Sequence, residues 1–305
     1  MSSSTSGVLL LDKPEGLSSN AALQRVRRLL GARKAGHVGS LDPLATGMLP
    51  ICLDEATKIA GDILSGRKRY RFTVSLGSRT ATGDREGAVV ETLPIPPLDA
   101  RSIEAALARY RGSQRQIPPM YSAIKRDGQP LYRLARAGIE VEREARDIEI
   151  FALTLVRADS DQLQMDTLCS KGTYVRTLAE DIASTLGTCG HVSRLRRVYV
   201  EPFDSEPMLA LETVESMIRA GEPLPLIDAA RALPQLPAVV LSDEAAARIV
   251  LGQAVGLPTS GATGRVRVHD TRGRFLGIGE ADGSGAVQPR RMFTQPLDSA
   301  ASFSL

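Results

Sequence analysis

The chain has 305 residues, of which 43% are hydrophobic and 24% charged, proportions that exclude a mainly disordered protein. No stretch approaches the roughly 20 apolar residues of a membrane-spanning helix, so we expect no membrane association. The N-terminal residues lack the basic start and long apolar run of a signal peptide, which predicts a cytoplasmic location. Three cysteines and three histidines are scattered without zinc-site spacing, so we expect buried thiols and no metal.

Basic residues are concentrated in four segments, although the net charge is only +3. Residues 17–41 and residues 105–126 each contain five Lys or Arg and no acid, and shorter clusters lie at residues 67–71 and 194–197. Such segments bind a polyanion by releasing counterions, or they are solvated helix faces. The sequence leaves both interpretations open.

The first 64 residues alternate between strand and helix patterns. They predict a buried strand at residues 7–11, a turn at 12–16, a helix to Leu30, an ordered loop at 36–50 and a helix at 55–64. Residues 18–20 offer capping side chains for the first helix, and Gly31 closes it. The loop is expected because three glycines and two prolines interrupt any regular period.

Strands and helices continue to alternate, but without regular βαβ spacing. Strand patterns lie at residues 70–76, 148–151, 163–168 and 191–199, and helix patterns at 101–110 and 173–186. We therefore predict an α+β fold with a mixed, largely antiparallel sheet and packed helices. Prolines at residues 233–237 mark a linker, and the short glycine-rich strands after it predict a small β-rich domain. The predicted domains are residues 1–236 and 237–305.

Two segments contain residue types suited to catalysis. In residues 36–47, three glycines and Pro43 surround Asp42 and His37, which suits a rigid catalytic loop or a structural turn. A second segment begins a helix with Tyr174 and Arg176 in its first turn. Arg176 either holds a carboxylate through its planar guanidinium or lies on the surface of an amphipathic helix.

Several other reaction classes lack their sequence motifs. The chain has no Walker loop, no H-E-x-x-H zinc helix and no G-x-S-x-G nucleophile elbow. Gly277 and Gly279 stand without the rest of a dinucleotide fingerprint. Carboxylate chemistry on an RNA-like polyanion is therefore the sharpest interpretation of the residues.

Residues 36–47, extended through Leu53, resemble the motif of the pseudouridine synthases. Further matching segments lie at residues 7–14, 68–70, 116–125 and 170–176, in the order in which the family has them. They are spread over residues 7–176, so the chain is identified as a member of the bacterial TruB-type family of tRNA pseudouridine-55 synthases. The C-terminal segment is similar to the small RNA-binding PUA-type domain.

The resemblance implies the pseudouridine synthase fold and an isomerase that converts uridine 55 in the tRNA T-loop to pseudouridine without a cofactor. By the motif, Asp42 is the nucleophile, and its target is C1′, C6 or the C2′ proton. Burial would raise the pKa of Asp42, and Arg176 opposite it would offset that rise. The uracil must be flipped out of its stack, and Tyr70 is expected to stack on it and to assist proton removal from C5.

The remaining expected site residues also come from the resemblance. Tyr174 and Leu195 line the uracil pocket with Tyr70, and His37 contacts the rearranged RNA loop. Residues that support the active-site loop or contact the RNA backbone are Lys13, Pro14 and Lys125. We expect the tRNA T stem-loop as partner, a monomer, and no obligatory protein partner.

Three rival functions remain, the last of them remote. A non-catalytic tRNA-binding chaperone explains the basic segments, but it leaves Asp42, Arg176 and Tyr70 unexplained as a set. A guide-RNA-dependent pseudouridine synthase shares the catalytic motif but works with partner proteins. A hydrolase of small phosphate esters is a remote third option, because the sequence offers no metal-ligand constellation.

Overall fold

The computed structural model of the protein describes residues 6–257 and 261–297. Its helices are α1 (Ser19–Leu30), α2 (Ala60–Leu64), α3 (Ala100–Ala108), α4 (Leu131–Arg136), α5 (Val175–Thr185), α6 (Leu211–Ala220) and α7 (Asp243–Val250). A 3-10 helix at Asp54–Ile59 leads directly into α2, where the sequence predicts one continuous helix. None of the described helices has the length and apolar character needed to cross a lipid bilayer.

The strands fall into two large sheets and two small hairpins. In chain order they begin with β1 (Gly7–Lys13), β2 (Ala35–His37), β3 (Thr46–Leu53), β4 (Lys68–Leu76), β5 (Ser78–Thr80), β6 (Val89–Thr92), β7 (Gly112–Gln116), β8 (Lys125–Arg126) and β9 (Gln129–Pro130). They continue with β10 (Arg146–Ala158), β11 (Gln162–Cys169), β12 (Gly190–Val200), β13 (Leu209–Ala210) and β14 (Ala238–Val240). The last four are β15 (Val255–Gly256), β16 (Thr263–His269), β17 (Phe275–Asp282) and β18 (Ala286–Leu297).

The main sheet has nine strands in the order β13-β1-β3-β12-β4-β11-β10-β7, with β2 paired to β3. Its pairs are antiparallel except for β1 with β13 and β3 with β12. The predicted α+β fold with a mixed, largely antiparallel sheet is therefore confirmed. Strands β14 to β18 form a second sheet, which confirms a β-rich C-terminal region. Its PUA type and the boundary between residues 236 and 237 stay predictions.

Helix α1 begins and ends where its sequence indicates. The Ser18 hydroxyl accepts a hydrogen bond from the Ala21 N–H at 3.1 Å, and Gly31 ends the helix in the left-handed conformation at φ +61°. Such caps satisfy backbone groups that lack partners at helix ends. The buried side of α1, with Leu23 and Val26, packs into the core on the main sheet.

The expectation of a loop over residues 36–50 is wrong at both ends. Strand β2 runs to His37 and β3 starts at Thr46, so the loop proper is residues 38–45. Strand β3 is buried along almost its whole length, and a strand buried on both faces shows no polar alternation. Gly47, which contributed to the loop prediction, instead marks a close strand approach, because a Cβ there would lie 2.1 Å from the Arg197 carbonyl oxygen.

The two large sheets share a hydrophobic core. Phe275 and Phe293 of the C-terminal sheet pack in one cluster with Val8 of β1 and with Ile59. Polar contacts accompany this packing, since the Thr294 N–H donates to Glu55 at 2.7 Å. The C-terminal sheet is therefore joined to the main sheet through buried side chains.

We expect Phe293→Ala to lower the free energy of unfolding of the whole chain by about 3–5 kcal/mol, the usual cost of emptying a buried aromatic site. Because Phe293 lies in the shared core, both sheets are expected to unfold together at a lower Tm. Calorimetry measures this, with Gln288→Ala at an exposed position of the same strand as the control. A separate early transition of the C-terminal sheet, with the main transition unchanged, would contradict a shared core.

Candidate active site

The loop of residues 38–45 presents Asp42 between buried anchors. Leu41 and Leu44 are buried, whereas the Asp42 side chain is 36% exposed. The Ser19 hydroxyl accepts the Leu41 N–H at 2.7 Å and donates to the Leu41 carbonyl at 3.0 Å, which ties the loop to helix α1. The carboxylate is thus accessible while the backbone around it is fixed.

Arg176 lies in the first turn of α5 and is only 4% exposed. Its Nε lies 2.9 Å from Oδ2 of Asp42. Its Nη1 donates to the Thr82 carbonyl and its Nη2 to the Tyr121 carbonyl, both at 2.7 Å. The guanidinium is therefore fixed against the carboxylate, and the alternative of a surface arginine is wrong.

Asp84 is a second carboxylate beside Arg176, and sequence reasoning missed it. Its Oδ2 lies 3.8 Å from Nη1 of Arg176, and its side chain is almost completely buried. The Thr82 hydroxyl and the Glu86 N–H both donate to Oδ1 of Asp84, at 2.6 and 3.1 Å. In the sequence this aspartate follows Gly83 in a stretch typical of a surface turn, so no pattern indicates its burial.

The environment of Asp42 shifts its pKa upward. Burial is the largest influence and raises the pKa, the Arg176 guanidinium lowers it, and the nearby Asp84 raises it again. The offset expected from Arg176 is therefore incomplete. A reaction that needs the Asp42 carboxylate loses rate as the pH falls through this raised pKa.

Lys13 is fully buried behind the Asp42 loop. Its Nζ donates to the carbonyls of Pro14, Leu17 and Pro43, at 2.8, 2.6 and 3.3 Å. Burial lowers its pKa to about 8, against the opposing effect of Asp42. Lys13 thus links the turn after β1 to the residue that follows Asp42, and its supporting role in catalysis stays a prediction.

Tyr70 of β4 lies directly opposite Arg197 of β12 in the sheet and is 9% exposed. Burial raises the pKa of its hydroxyl above the ordinary value, and Arg197 opposes that rise. Asp42 also contributes to this pKa, so the carboxylate lies within electrostatic reach of the ring. The phenol is consequently neutral at pH 7.

Tyr174 is the residue before α5, and the Gln116 side chain hydrogen-bonds both its backbone N–H and its backbone carbonyl. The Gln116 Oε1 accepts the Tyr174 N–H at 2.8 Å, and its Nε2 donates to the Tyr174 carbonyl at 3.0 Å. Gln116, at the end of β7, was not recognised as a site residue, although it opens one of the matched segments. Leu195 lines a cleft of about 400 Å³ together with Leu44 and Thr46 of the Asp42 loop region.

His37 is half-buried at the end of β2. Burial lowers its pKa, so the imidazole is neutral at pH 7. Its Nδ1 is buried and has no hydrogen-bond partner among the described residues. A buried polar atom without a partner is unusual in a folded protein, and because Nδ1 is buried only the exposed part of the ring can contact RNA.

Lys125 lies apart from the Asp42 group. It is exposed on the β8–β9 hairpin and lines a different cavity, of about 470 Å³, together with Arg126, Arg143 and Arg146. The structure therefore brings Asp42, Arg176, Tyr70, Tyr174 and Lys13 together, whereas Lys125 lines a cavity of mixed charge that also includes Glu142 and Glu144.

The basic segments differ in exposure. Arg25 forms an ion pair with Glu215 of α6, and Arg111 forms one with Glu104 of the preceding helix α3. Lys68 and Arg197 are buried and cannot reach an RNA backbone. The polyanion interpretation of residues 67–71 and 194–197 therefore holds at most for their exposed members.

The described residues contain no group of three His, Cys, Asp or Glu side chains arranged to hold a metal ion. All three cysteines are buried free thiols, as the sequence predicts. Burial raises the pKa of Cys52 to about 12 and that of Cys169 to about 11, so neither supplies a thiolate at neutral pH.

The chain matches known proteins over almost its whole length. Residues 27–175 match the N-terminal domain of the TruB family pseudouridylate synthases, residues 176–241 the C-terminal domain of tRNA pseudouridylate synthase B, and residues 237–293 the C-terminal domain of pseudouridine synthase II TruB. The tRNA pseudouridine synthase B of Stutzerimonas stutzeri is 48% identical over 293 residues, which cover 94% of this chain and 95% of that protein. The protein of the same name from Aromatoleum aromaticum is 50% identical over 289 residues, 94% and 92% of the two chains.

Two solved structures share the fold at lower sequence identity. One is an H/ACA RNP bound to a substrate RNA containing 2′-deoxyuridine, with a TM-score of 0.73 and 20% identity over 95% of this chain and 85% of that one. The other is a Cbf5-Nop10-Gar1 complex, with a TM-score of 0.73 and 23% identity over 94% and 85%. These two structures show the fold alone, whereas the sequence relatives show the family. The chain belongs to the TruB family of pseudouridylate synthases.

Proposed function

We propose that the chain isomerises uridine 55 in the T-loop of tRNA to pseudouridine, with Asp42 as the nucleophile. The observation that carries the proposal is a partly exposed Asp42 carboxylate held at 2.9 Å by the buried guanidinium of Arg176. Relatives named tRNA pseudouridine synthase B support tRNA as the substrate. A fixed carboxylate beside a cation is the kind of group that attacks or deprotonates a nucleoside.

The proposed reaction rearranges bonds within one nucleotide. The N1–C1′ bond breaks, the uracil turns, a C5–C1′ bond forms, the C5 proton leaves to solvent and N1 takes up a proton. No electrons are gained or lost, so no cofactor is needed. Attack at C1′, attack at C6 and proton removal at C2′ all require Asp42 in its ionised form, and Arg176 favours that form.

The target base has to leave the folded T-loop before it reaches Asp42, which costs about a few kcal/mol. In this proposal Tyr70, Tyr174 and Leu195 receive the flipped uracil. The neutral hydroxyl of Tyr70 favours stacking over proton removal as its main contribution. His37 contacts the rearranged RNA loop through the exposed part of its ring, and Lys125 contacts the RNA backbone from the cavity that it lines.

The proposal assigns catalysis to residues 1–236 and additional RNA contact to a PUA-like domain at residues 237–305. The chain would act in the cytoplasm as a monomer and without a protein partner. The proposed chemistry uses Asp42, Arg176 and Tyr70 of this chain and needs no residue from a second protein. The chaperone alternative gives these three residues no common role.

An unmodified tRNA transcript and its isolated T stem-loop test this function together. The purified chain, without added protein, guide RNA or metal, is expected to convert one T-loop uridine in both RNAs, located by mass mapping of nuclease fragments. Binding without conversion would favour the chaperone. Conversion only after a guide RNA and partner proteins are added would favour the guide-dependent enzyme.

We expect Tyr70→Ala to lower the rate with saturating enzyme by about 1,000-fold and to weaken tRNA binding by less than about threefold, because stacking acts after docking. Tyr70→Phe keeps the ring and is expected to bind tRNA like the wild type, so any rate it loses measures the contribution of the hydroxyl. Quenched-flow kinetics and filter binding provide the two quantities. Tenfold weaker binding with a normal rate on bound tRNA would contradict this role.

A further inference from the structure

Arg197 contacts both ends of the loop that carries Asp42. Its Nη2 donates to the carbonyls of Gly39 at 2.9 Å and Val38 at 3.3 Å, before Asp42 in the chain. Its Nε donates to the Met48 carbonyl at 2.7 Å, after Asp42. One side chain, only 1% exposed, therefore spans the base of the loop.

The main sheet opens at the point where Arg197 lies. Strands β3 and β12 pair only through Thr46 with Arg196 and Gly47 with Arg197, after which β3 pairs with β2. Carbonyls near the opening lack a neighbouring strand, and a buried carbonyl without a partner is costly. Arg197 supplies the missing donors to both borders of the opening.

We propose that Arg197 is a positioning residue that holds the Asp42 loop closed at its base and thereby sets the place of Asp42 relative to Tyr70. The inference rests on the proposed isomerase function. Tyr70 belongs to the same arrangement because it lies opposite Arg197 on the adjacent strand β4. The guanidinium also interacts electrostatically with the Tyr70 hydroxyl, so the same side chain contacts the Asp42 loop and the Tyr70 side chain.

The geometry requires arginine rather than any cation. The planar guanidinium directs Nε toward one border of the opening and Nη2 toward the other, which a single ammonium group cannot do at the same distances. The fit is close, because a Cβ on Gly39 would lie 3.1 Å from Nη1 of Arg197. Arg196, the preceding residue, instead pairs with Asp12 at a partly exposed position.

Arg197→Lys tests the proposal, with Arg267→Lys as the matched control. Arg267 lies in β16 of the C-terminal sheet. Its side chain also donates to two partly buried carbonyls, those of Leu236 at 2.9 Å and Ala230 at 3.1 Å. We expect Arg197→Lys to lower the rate on saturating enzyme by about 100-fold and to leave the tRNA Kd within about twofold. Arg267→Lys is expected to lower Tm without changing the rate on bound tRNA.

A second variant disturbs the same contact and keeps the arginine. Gly39→Ala places a methyl group against the guanidinium at a φ of +71°, whereas Gly31→Ala imposes the same kind of backbone strain at φ +61° with no atom within 4 Å. We expect the rate to fall in Gly39→Ala and to stay within about twofold in Gly31→Ala. If Arg197→Lys does not fold, these two glycine variants still test the positioning role of Arg197.

Hydrogen exchange provides a measure that does not depend on activity. Amides of residues 38–45 are expected to exchange faster in Arg197→Lys than in the wild type and to be unchanged in Arg267→Lys. Unchanged exchange together with an unchanged rate in Arg197→Lys would overturn the positioning role. A wild type that modifies no RNA would count against the proposed function, and the exchange measurement would still decide whether Arg197 holds the loop.

Discussion

Asp42→Asn is expected to lower the rate of pseudouridine formation by about 10,000-fold or more and to leave tRNA binding within about threefold of the wild type. The amide has nearly the size of the carboxylate, and its oxygen can still accept from Nε of Arg176. It can neither attack the nucleoside nor take up a proton, so chemistry stops after docking. Single-turnover kinetics with excess enzyme, with the product nucleoside separated by chromatography, measure the loss.

Asp228→Asn serves as the control for this substitution. Asp228 is also partly buried, and it accepts the Ala230 N–H at 2.6 Å, away from the Asp42 loop. We expect this variant to change stability and to retain the rate. Equal rates in Asp42→Asn and the wild type would show that Asp42 has no role in the chemistry. Loss of tRNA binding in Asp42→Asn would show that Asp42 acts in recognition of the tRNA.

Arg176→Met is the second change with a large expected effect, about 1,000-fold at pH 7. Burial already raises the pKa of Asp42, and Arg176 is the main group that opposes the rise. Without Arg176 the pKa of Asp42 increases further, so a smaller fraction is ionised at neutral pH. Because the ionised form reacts, the rate is lost as the pH falls through this pKa, and the acid limb of the profile moves to higher pH.

The pH profile on bound tRNA measures that shift. We expect Arg176→Met to regain part of its rate as the pH is raised, and Arg176→Lys, which retains a positive charge, to show a smaller shift of the acid limb. A uniform loss of rate with an unmoved acid limb would mean that Arg176 only holds the Thr82 and Tyr121 carbonyls.

Local patterns predicted those parts of the fold that depend on neighbouring residues. Ser18 and Gly31 cap α1 because hydroxyl groups and glycine satisfy helix ends wherever the helix lies. The Asp42–Arg176 pair was also anticipated, through the resemblance of two segments that are far apart in the chain. Spacing alone left Arg176 undecided between a buried and a surface position.

Features set by distant packing were not predictable from the sequence. The sequence predicts a loop over part of strand β3, because Gly47 looks like a turn residue although it serves contact with Arg197, about 150 residues away in the chain. Arg196 and Arg197 are equivalent in a basic run, yet strand alternation and the opening of the sheet bury only the second. No sequence pattern indicates that Asp84 is buried, because its burial depends on Arg176 and on the β-bridge between Asp84 and Val192.

The most direct test of the account follows the reacting bond itself. A tRNA transcript carrying tritium at C5 of its uridines releases the label into water when C5 loses its hydrogen and forms the bond to C1′. We expect release of one label per tRNA by the wild-type chain alone, from a single T-loop uridine, and none by Asp42→Asn. Tight tRNA binding by the wild type with no release, or equal release by Asp42→Asn, would contradict the claim that Asp42 of this chain isomerises uridine.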